Sequence, residues 1–545
     1  MHFRCIGLPL AAALVGATVI GCQKSAPTAP PASPAATESI ARVHWLGKQR
    51  LAAETNAASF MDIWHLPASA KLEAQTLDKL SLAPWRMLKG DAATNGAPIA
   101  LLRPLLDDLV QAESYLEIRG ATNPPGELAF AIRLSPERGG LWQTNLAIVL
   151  ESLTGVRPVA ATGNRQGWSL KKHDAPNLVE LTRAGDWTVI GLASEQNALL
   201  GEVLARLERD RAPFAARATN FWLEAGLDLR GVSRALSLGW NLPEDLPKIS
   251  MAVIGDGKEV LTRGRLDFTR PQSFALEPWN LPTNLVHDPL ISFTAIRGVQ
   301  PWLASLKMWN DLQLGAPPNQ LCFWGLEGMP LLNYFAAPLP DASHRVQAIT
   351  ELLVQKCNPW MATNAMGHFA PAADSNGVVW TDAPIMSPFL RSVDTGGNRF
   401  VFGGLLPNAV TNQPPPDGLL PQILGRTNLV GYDWELTGRR IESWLFTGQL
   451  LRMVLHRAQL PFDSARDQCA GTAWFRAAAP TLGNCATYVT QTGTDQLSFA
   501  RRSTIGFTAV ELHWLADWLE SPQFPRGLHT LLVPAPPPPD PEPKP

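Results

Sequence analysis

The chain has 545 residues, more than one ordinary core accommodates, and leaves material for about two to four domains once its ends are set aside. A formal net charge of -2 provides no basic excess to neutralise phosphates, which excludes nucleic acid as an expected partner. Charged residues are only 17%, and 48 Pro with 42 Gly fit an extracytoplasmic protein with many turns and long connections rather than a compact helical one.

Arg4, an apolar run over 6–20 and the small Gly21 form signal-peptide architecture with a cut before Cys22. A retained membrane helix and an ordinary cleaved signal are the alternatives; the run is short for a span and is interrupted by Pro9, which weakens the first. Val19-Ile20-Gly21-Cys22 resembles the lipobox of bacterial lipoproteins, with Val19 where Leu is commoner. The resemblance covers only the leader and assigns no family to the body of the chain. It implies that Cys22 is the lipid attachment residue, with a diacylglycerol thioether on its thiol and a further acyl chain on the new amino terminus. Two or more chains give the strong membrane anchoring that one cannot. Gln23 follows where Asp would signal retention in the inner membrane of enteric bacteria, so the resemblance implies the outer membrane.

Residues 22–39 are mostly Pro, Ala, Ser and Thr and cannot bury a core. They are expected to form an extended stalk reaching on the order of 50 Å. Composition then divides the chain into a first domain over 40–216, a second over 217–533 with possible subdomains, and a Pro-rich tail over 534–545.

A strand is expected over 57–64 and a helix over 69–80 behind Pro67, with Leu72, Leu77 and Leu80 on one stripe. Alternation over 115–118 and 127–134 predicts a hairpin across Asn123-Pro124-Pro125-Gly126. Next come a helix over 143–153 stopped by Gly155, strands over 168–171, 178–182 and 187–192, and a Ser194-capped helix to 209 that buries Leu199, Leu200, Val203, Leu204 and Leu207. Thr219-Asn220-Phe221-Trp222 opens a strand closing on Asp228-Leu229-Arg230-Gly231. Thr427-Asn428-Leu429-Val430 opens another closing on Glu435-Leu436-Thr437-Gly438. Both run into expected helices, a pattern that points to internal duplication, with chance matching as the alternative.

A hairpin over 249–254 and 260–268 turns at Gly255-Asp256-Gly257. A strand over 290–296 leads to a helix over 298–312, then strands over 320–325 and 331–337 and an Asp341-capped helix to Cys357. Strands follow over 378–381, 389–393 and 399–405, the last two joined at Gly396-Gly397. The helix over 439–456 is the strongest amphipathic pattern, with Ile441, Trp444, Leu445, Leu451 and Leu455 on one face. A strand pair over 485–490 and 496–502 precedes a helix over 508–519 with Val510, Trp514, Leu515 and Trp518 inward. The fold class is α+β: antiparallel sheets with helices packed on one face, in two related sheet-and-helix domains.

No catalytic, cofactor or metal residues emerge. Paired histidines around a glutamate and a phosphate-cradling Gly-rich loop with Lys are both absent. Ala235-Leu236-Ser237-Leu238-Gly239 is one residue from a nucleophile elbow but lacks the strand before it. Ser169-Leu170-Lys171-Lys172 matches S-x-x-K on an expected strand, where Ser169 and Lys172 would face apart. Tyr432-Asp433-Trp434-Glu435 places two aromatics on one face and two acids on the other. Tyr432 and Trp434 are then a ligand surface or, as the plainer reading, packing beneath the following helix with the acids solvated. In an oxidising compartment Cys322, Cys357, Cys469 and Cys485 are candidate disulfides, and proximity pairs the first two and the last two; buried free thiols are the alternative.

The expected function is a noncatalytic, lipid-anchored envelope protein, a binding or structural module whose partner is another envelope protein or a glycan. An extracytoplasmic hydrolase and a Trp-using glycan-binding protein are the alternatives; the first needs His, Asp and Ser or a metal cluster in one cleft, the second two solvent-facing Trp rings on one concave surface. Mass spectrometry of the mature amino terminus is expected to find Cys22 acylated, and Cys22→Ala to release the protein from membranes. A cleaved, unmodified terminus elsewhere overturns the anchor.

Overall fold

The structure is a computed structural model that describes residues 39–527 except 91–97, 121–125, 162–165, 172–177, 194–196, 215–220, 237–241, 273, 312–314, 330, 364–366, 375, 383–385, 408–417 and 458–468. The leader, Cys22, nearly all of the stalk and the tail lie outside the described residues. The protein is α+β, built on one antiparallel sheet with twenty strands among the described residues. The first ten are β1 (Ser39–Trp45), β2 (Ser114–Arg119), β3 (Glu127–Arg133), β4 (Val159–Ala160), β5 (Gly167–Lys171), β6 (Leu178–Ala184), β7 (Trp187–Ala193), β8 (Leu223–Leu227), β9 (Lys248–Gly255) and β10 (Val260–Asp267). The second ten are β11 (Leu290–Arg297), β12 (Gln320–Leu326), β13 (Asn333–Pro338), β14 (His368–Pro371), β15 (Gly377–Thr381), β16 (Phe389–Thr395), β17 (Asn398–Gly404), β18 (Leu429–Leu436), β19 (Asn484–Gln491) and β20 (Gln496–Ser503).

Hydrogen bonding orders the first half as β4-β5-β6-β7-β3-β2-β1-β8-β9-β10. The second half runs β14-β15-β16-β17-β13-β12-β11-β18-β19-β20. Each strand of the second half therefore takes the place held by the strand ten before it. The halves meet at β10 and β20, which pair antiparallel from Val260 opposite Ser503 to Asp267 opposite Gln496. The repeated sequence pattern falls on the equivalent strands β8 and β18, each leading into a helix, Leu229–Ala235 and Thr437–Arg457. Thr219 and Asn220 lie outside the described residues. The seam of the repeat is the connection over 268–289, so β8 to β10 belong to the first ten-strand unit although composition places a boundary at 216/217.

The seam is close-packed. Gly264 faces Phe499, and a Cβ there would come within 2.2 Å of the ring and 2.5 Å of the Ser250 carbonyl oxygen, so only glycine fits. A helical layer also crosses between the halves. The helix Pro67–Lys89 meets the helices Ala470–Ala478 and Ala509–Leu519: Trp474 Nε1 donates to Ser69 Oγ at 2.9 Å, Lys79 Nζ to the Leu519 carbonyl at 2.7 Å and Gln75 Nε2 to Glu520 Oε2 at 2.8 Å.

In the first half helices cover both faces of the sheet. Pro136–Thr154 starts where Ser135 Oγ accepts the Arg138 amide and ends at Gly155 in the left-handed region. It lays Trp142, Leu146, Val149 and Leu150 on Leu128, Phe130 and Ile132. The alternate β3 residues, Ala129 and Ala131, face the opposite way beneath the helix Ala198–Asp210, whose five expected leucines and valine side chains are buried there, each contributing roughly 1.5–3 kcal/mol. That helix is capped by Asn197; Ser194 lies outside the described residues.

Three expectations are corrected. Residues 58–64 form a helix, Ala58–Trp64, in which Phe60 and Trp64 meet edge-to-face at i,i+4 with ring centroids 5.4 Å apart, a helical rather than alternating contact. The helix expected over 298–312 breaks into Gln300–Ser305 and Lys307–Asp311, with Leu306 extended between them. In the last helix Ala509, Leu512 and Ala516 face inward, while Trp514 is 62% exposed.

A buried ion cluster fastens Ala198–Asp210 to the sheet. Glu117 on β2 has a fully buried side chain and accepts from Arg206 Nη2 at 2.7 Å, Tyr115 Oη at 2.8 Å and Arg42 Nη2 at 3.2 Å. Burial alone would raise its pKa, but the hydrogen bonds from Arg206 and Tyr115 and the nearby guanidinium charges bring it down to about 2. Because this carboxylate's folded pKa is depressed, its stabilisation is present above the ordinary carboxylate range and is lost as pH falls toward 2. Thermal melts of Glu117→Gln are expected to show a loss of about 3 kcal/mol at neutral pH and a weaker fall in stability between pH 4.5 and 2 than the parent. An unchanged acid limb would refute this role.

Candidate functional site

The two halves diverge in how they cover equivalent rows of the sheet. On the face beneath Pro136–Thr154, one row crosses five strands of the first half as Leu116, Phe130, Ile190, Leu181 and Trp168. All five are 7% exposed or less. Trp142 stacks on Phe130 with centroids 6.3 Å apart, and Leu102 and Leu105 from the helix Ile99–Gln111 complete the cover. On the corresponding strands and face of the second half the row is Phe323, Phe335, Gly403, Leu390 and Val378. Its central position has no side chain, and the Phe335 ring lies across Gly403.

The covering helices are also reduced. Ala342–Leu352 buries only Ala342 and Val346 before widening into a π-turn over Leu353–Cys357, a loosening common at functional sites. The two helices between β11 and β12 have six and five residues, against twenty-three and thirteen in two of those between β1 and β2. A cavity of about 410 Å³ opens above the row, walled by Phe323, Phe335, Leu390 and Val378 and by Leu353 and Phe369 across from them. Phe323 is 43% exposed at its mouth, beside the exposed Asn333. Tyr334 also borders it, but its ring stacks on Trp324 and Phe402 on the opposite face. None of the twelve lining residues is His, Cys, Asp, Glu, Lys or Arg. Among the described residues the cavity therefore offers no carboxylate, imidazole, thiol or amine for acid-base, nucleophilic or metal chemistry, and its walls suit burial of hydrocarbon.

A second cavity, of about 380 Å³, lies among Thr437–Arg457, Ala470–Ala478 and Ala509–Leu519. Trp444 and Trp514 both line it, as do Gln449, Arg476, His513 and Asp517. His513 Nε2 is 3.5 Å from Asp517 Oδ2, and its ring stacks on Phe475 with centroids 5.9 Å apart. Cys469 also lines this cleft; among the described residues no serine does, and they contain no cluster of three or more metal-ligating side chains.

The residues singled out in the sequence lie elsewhere. Tyr432 is buried, pairs edge-on with Tyr488 at 5.1 Å, and joins the core made by Phe293, Trp324 and Ile423; Trp434 is half-buried against the same core. Neither packs beneath the following helix, which lies on the acid side of β18. Glu435 is not solvated: it is fully buried and accepts from Arg440 Nη1 at 2.6 Å, Thr437 Oγ1 at 2.9 Å and the Ala509 amide at 2.6 Å, tying two helices to the strand. Ser169 sits on β5, Lys172 outside the described residues; the helix Leu229–Ala235 precedes the near-elbow, and Ser237 to Gly239 are outside them as well.

Neither expected disulfide forms; all four cysteines are free. Cys322 projects into the core on the face opposite Phe323, whereas Cys357 ends the helical segment on the Phe323 face, so the sheet separates them. Between Cys469 and Cys485 stands the unexpected helix Ala470–Ala478, roughly 14 Å long at ~1.5 Å per residue. Cys469 Sγ instead accepts the Thr472 amide at 3.4 Å as its cap. Burial pushes the Cys322 thiol up to about 12, and burial with the neighbouring Glu435 does the same for Cys485.

No protein-family model and no curated protein matches the chain. Two solved structures align with parts of it: crystal form IV of TP0453, at 8% identity over 42% of this chain and 77% of that one, with a TM-score of 0.23, and crystal form III of TP0453, at 9% identity over 46% and 81%, with a TM-score of 0.22. The cavity row was missed in the sequence because its residues come from five strands; the one local signal is Gly403-Gly404 inside a strand, which marks a missing side chain or a close approach.

A maleimide pulse on the native protein without reductant is expected to label the half-buried Cys357 and Cys469 and spare Cys322 and Cys485, all four reacting after denaturation. A linked pair in nonreducing peptide maps would overturn the assignment of four free thiols.

Proposed function

We propose that this protein is a lipid-anchored, noncatalytic binding module of the bacterial cell envelope, held at the outer membrane through Cys22, and that the cavity above the Phe323–Val378 row is its ligand site. The observation that carries the binding reading is a 410 Å³ cavity with apolar walls and no His, Cys, Asp, Glu, Lys or Arg among its described lining residues, placed where the equivalent half of the same chain is packed solid. A site of this size falls within the ~300–1,000 Å³ typical of small-ligand pockets. Membrane attachment rests on the leader alone and is independent of the cavity.

A second reading has its own observation. Trp444 and Trp514 share the helical cleft with Gln449, Arg476 and Asp517, a combination of aromatic surface and hydrogen-bonding groups suited to a glycan. One experiment separates the two. The full chain carrying Cys22→Ala is titrated with an apolar, environment-sensitive naphthalene dye and, in parallel, sedimented with insoluble cell-wall glycan. Saturable dye binding weakened at least tenfold by Phe323→Lys and unaffected by Trp514→Ala is the expected result. Glycan sedimentation abolished by Trp514→Ala, without saturable dye binding, would move the site to the helical cleft.

A further inference from the structure

We infer that the cavity takes one linear hydrocarbon chain, the acyl chain of a lipid, with the lipid's polar end left at the mouth beside Asn333. This inference rests on the reading of the cavity as the ligand site and names its ligand class.

The walls set the chemistry. Phe323, Phe335, Leu353, Phe369, Val378 and Leu390 offer carbon surface, so a polar group carried deep into the cavity would lose its water without a side-chain partner. The exposed groups are at one end only, where Phe323 and Asn333 meet solvent. A ligand apolar along its length and polar at one end matches that distribution.

Size sets the class. Twelve residues line the cavity, short of the ~20–30 a side that a stable protein interface engages, which argues against a protein occupant. At roughly 30 Å³ per methylene, close to one water's share of liquid volume, 410 Å³ holds on the order of a dozen carbons. The position in the repeat points the same way. In the first half the corresponding space is filled by the chain's own Ile190, Trp142 and Leu105, so the fold places hydrocarbon there whenever it supplies its own. In the second half the Phe335 ring takes the space beside Gly403, but among the described residues the chain supplies no counterpart of Trp142 or Leu105 above the row, and the 410 Å³ that remains is left to an outside occupant.

The test uses the full chain with Cys22→Ala, free of acyl groups of its own, with the naphthalene dye bound. Fatty acids of increasing length form one arm and vesicles of a diacyl phospholipid the other. Displacement is expected to strengthen about fourfold per methylene, the factor that ~0.8 kcal/mol per buried methylene implies, until the cavity is full, and then to level off. Leu353→Trp, which fills the cavity, and Phe323→Lys, which places charge at its mouth, are each expected to weaken displacement at least tenfold. Their melting temperatures show that each variant is folded, and Trp514→Ala is the unchanged control. Displacement by fatty acids alone assigns the chain to a free acid, and displacement by vesicles to a membrane lipid; either supports the inference. Saturable dye binding that no acyl chain displaces, or displacement independent of chain length, overturns the acyl-chain inference and leaves the binding module standing. Failure of the parent to bind the dye at all overturns both.

Discussion

The pairing of β10 with β20 is the constraint on which the rest of the structure depends. It joins two ten-strand runs into one sheet through eight consecutive residue pairs, and it is antiparallel, so the halves are brought together by a local two-fold relation. Nothing larger than hydrogen fits at Gly264, because Phe499 and the Ser250 carbonyl already occupy that space. Arg502 reinforces the junction from outside by reaching Asp256 at 2.8 Å and Glu259 at 3.0 Å in the turn between β9 and β10. Such exposed pairs contribute little individually. The backbone ladder and the crossing helices Pro67–Lys89, Ala470–Ala478 and Ala509–Leu519 hold the unit together.

With the strand order repeated, differences between the halves carry information that neither would carry alone. The first half has a helix of nineteen residues on one face and thirteen on the other, and the residues of β7 are buried on both. The second half keeps the strands and shortens the helices between β11 and β12 and between β13 and β14, although the helix after β18 is longer than its counterpart after β8. A strand row that is continuous hydrocarbon in one half has a glycine at its centre in the other. A lone cavity in an unrelated fold could be dismissed as loose packing; here the same architecture shows how the space is filled when the chain closes it.

Much of this was legible locally. The hairpins β2–β3, β9–β10, β16–β17 and β19–β20 each have their strands and turn in one stretch of sequence, and the duplicated pattern at β8 and β18 marks equivalent places in the repeat. Boundaries are weaker: the helix expected over 143–153 begins at Pro136, where Ser135-Pro136 supplies the cap and the first helical residue. Long-range placement was not legible. Alternation correctly put Tyr432 and Trp434 on one face of a strand but could not say which layer covered that face, and the acids assigned to solvent include Glu435, buried with three donors. Cysteine proximity in sequence likewise ignored the sheet between Cys322 and Cys357 and the helix between Cys469 and Cys485. The cavity row required the pairing of five strands, which no window of sequence contains.

The opposite face of the second half shows that its open cavity is not a general consequence of having lost helices. That face also lacks a long helix among the described residues, yet Phe293, Cys322, Ala336 and Ile423 are completely buried there. Irregular chain closes it, and Arg297 holds that chain in place. Its buried guanidinium stacks 4.5 Å from the Trp279 ring and donates to the carbonyls of Glu277 at 2.5 Å, Leu429 at 2.7 Å, Thr427 at 2.7 Å and Arg426 at 3.0 Å. One side chain thereby satisfies four backbone acceptors from two segments, groups that would otherwise cost free energy in a dry interior. The fold can therefore seal a helix-poor face with loops. On the side of Phe323 and Val378 the chain supplies no such clamp among the described residues, and the apolar volume remains open.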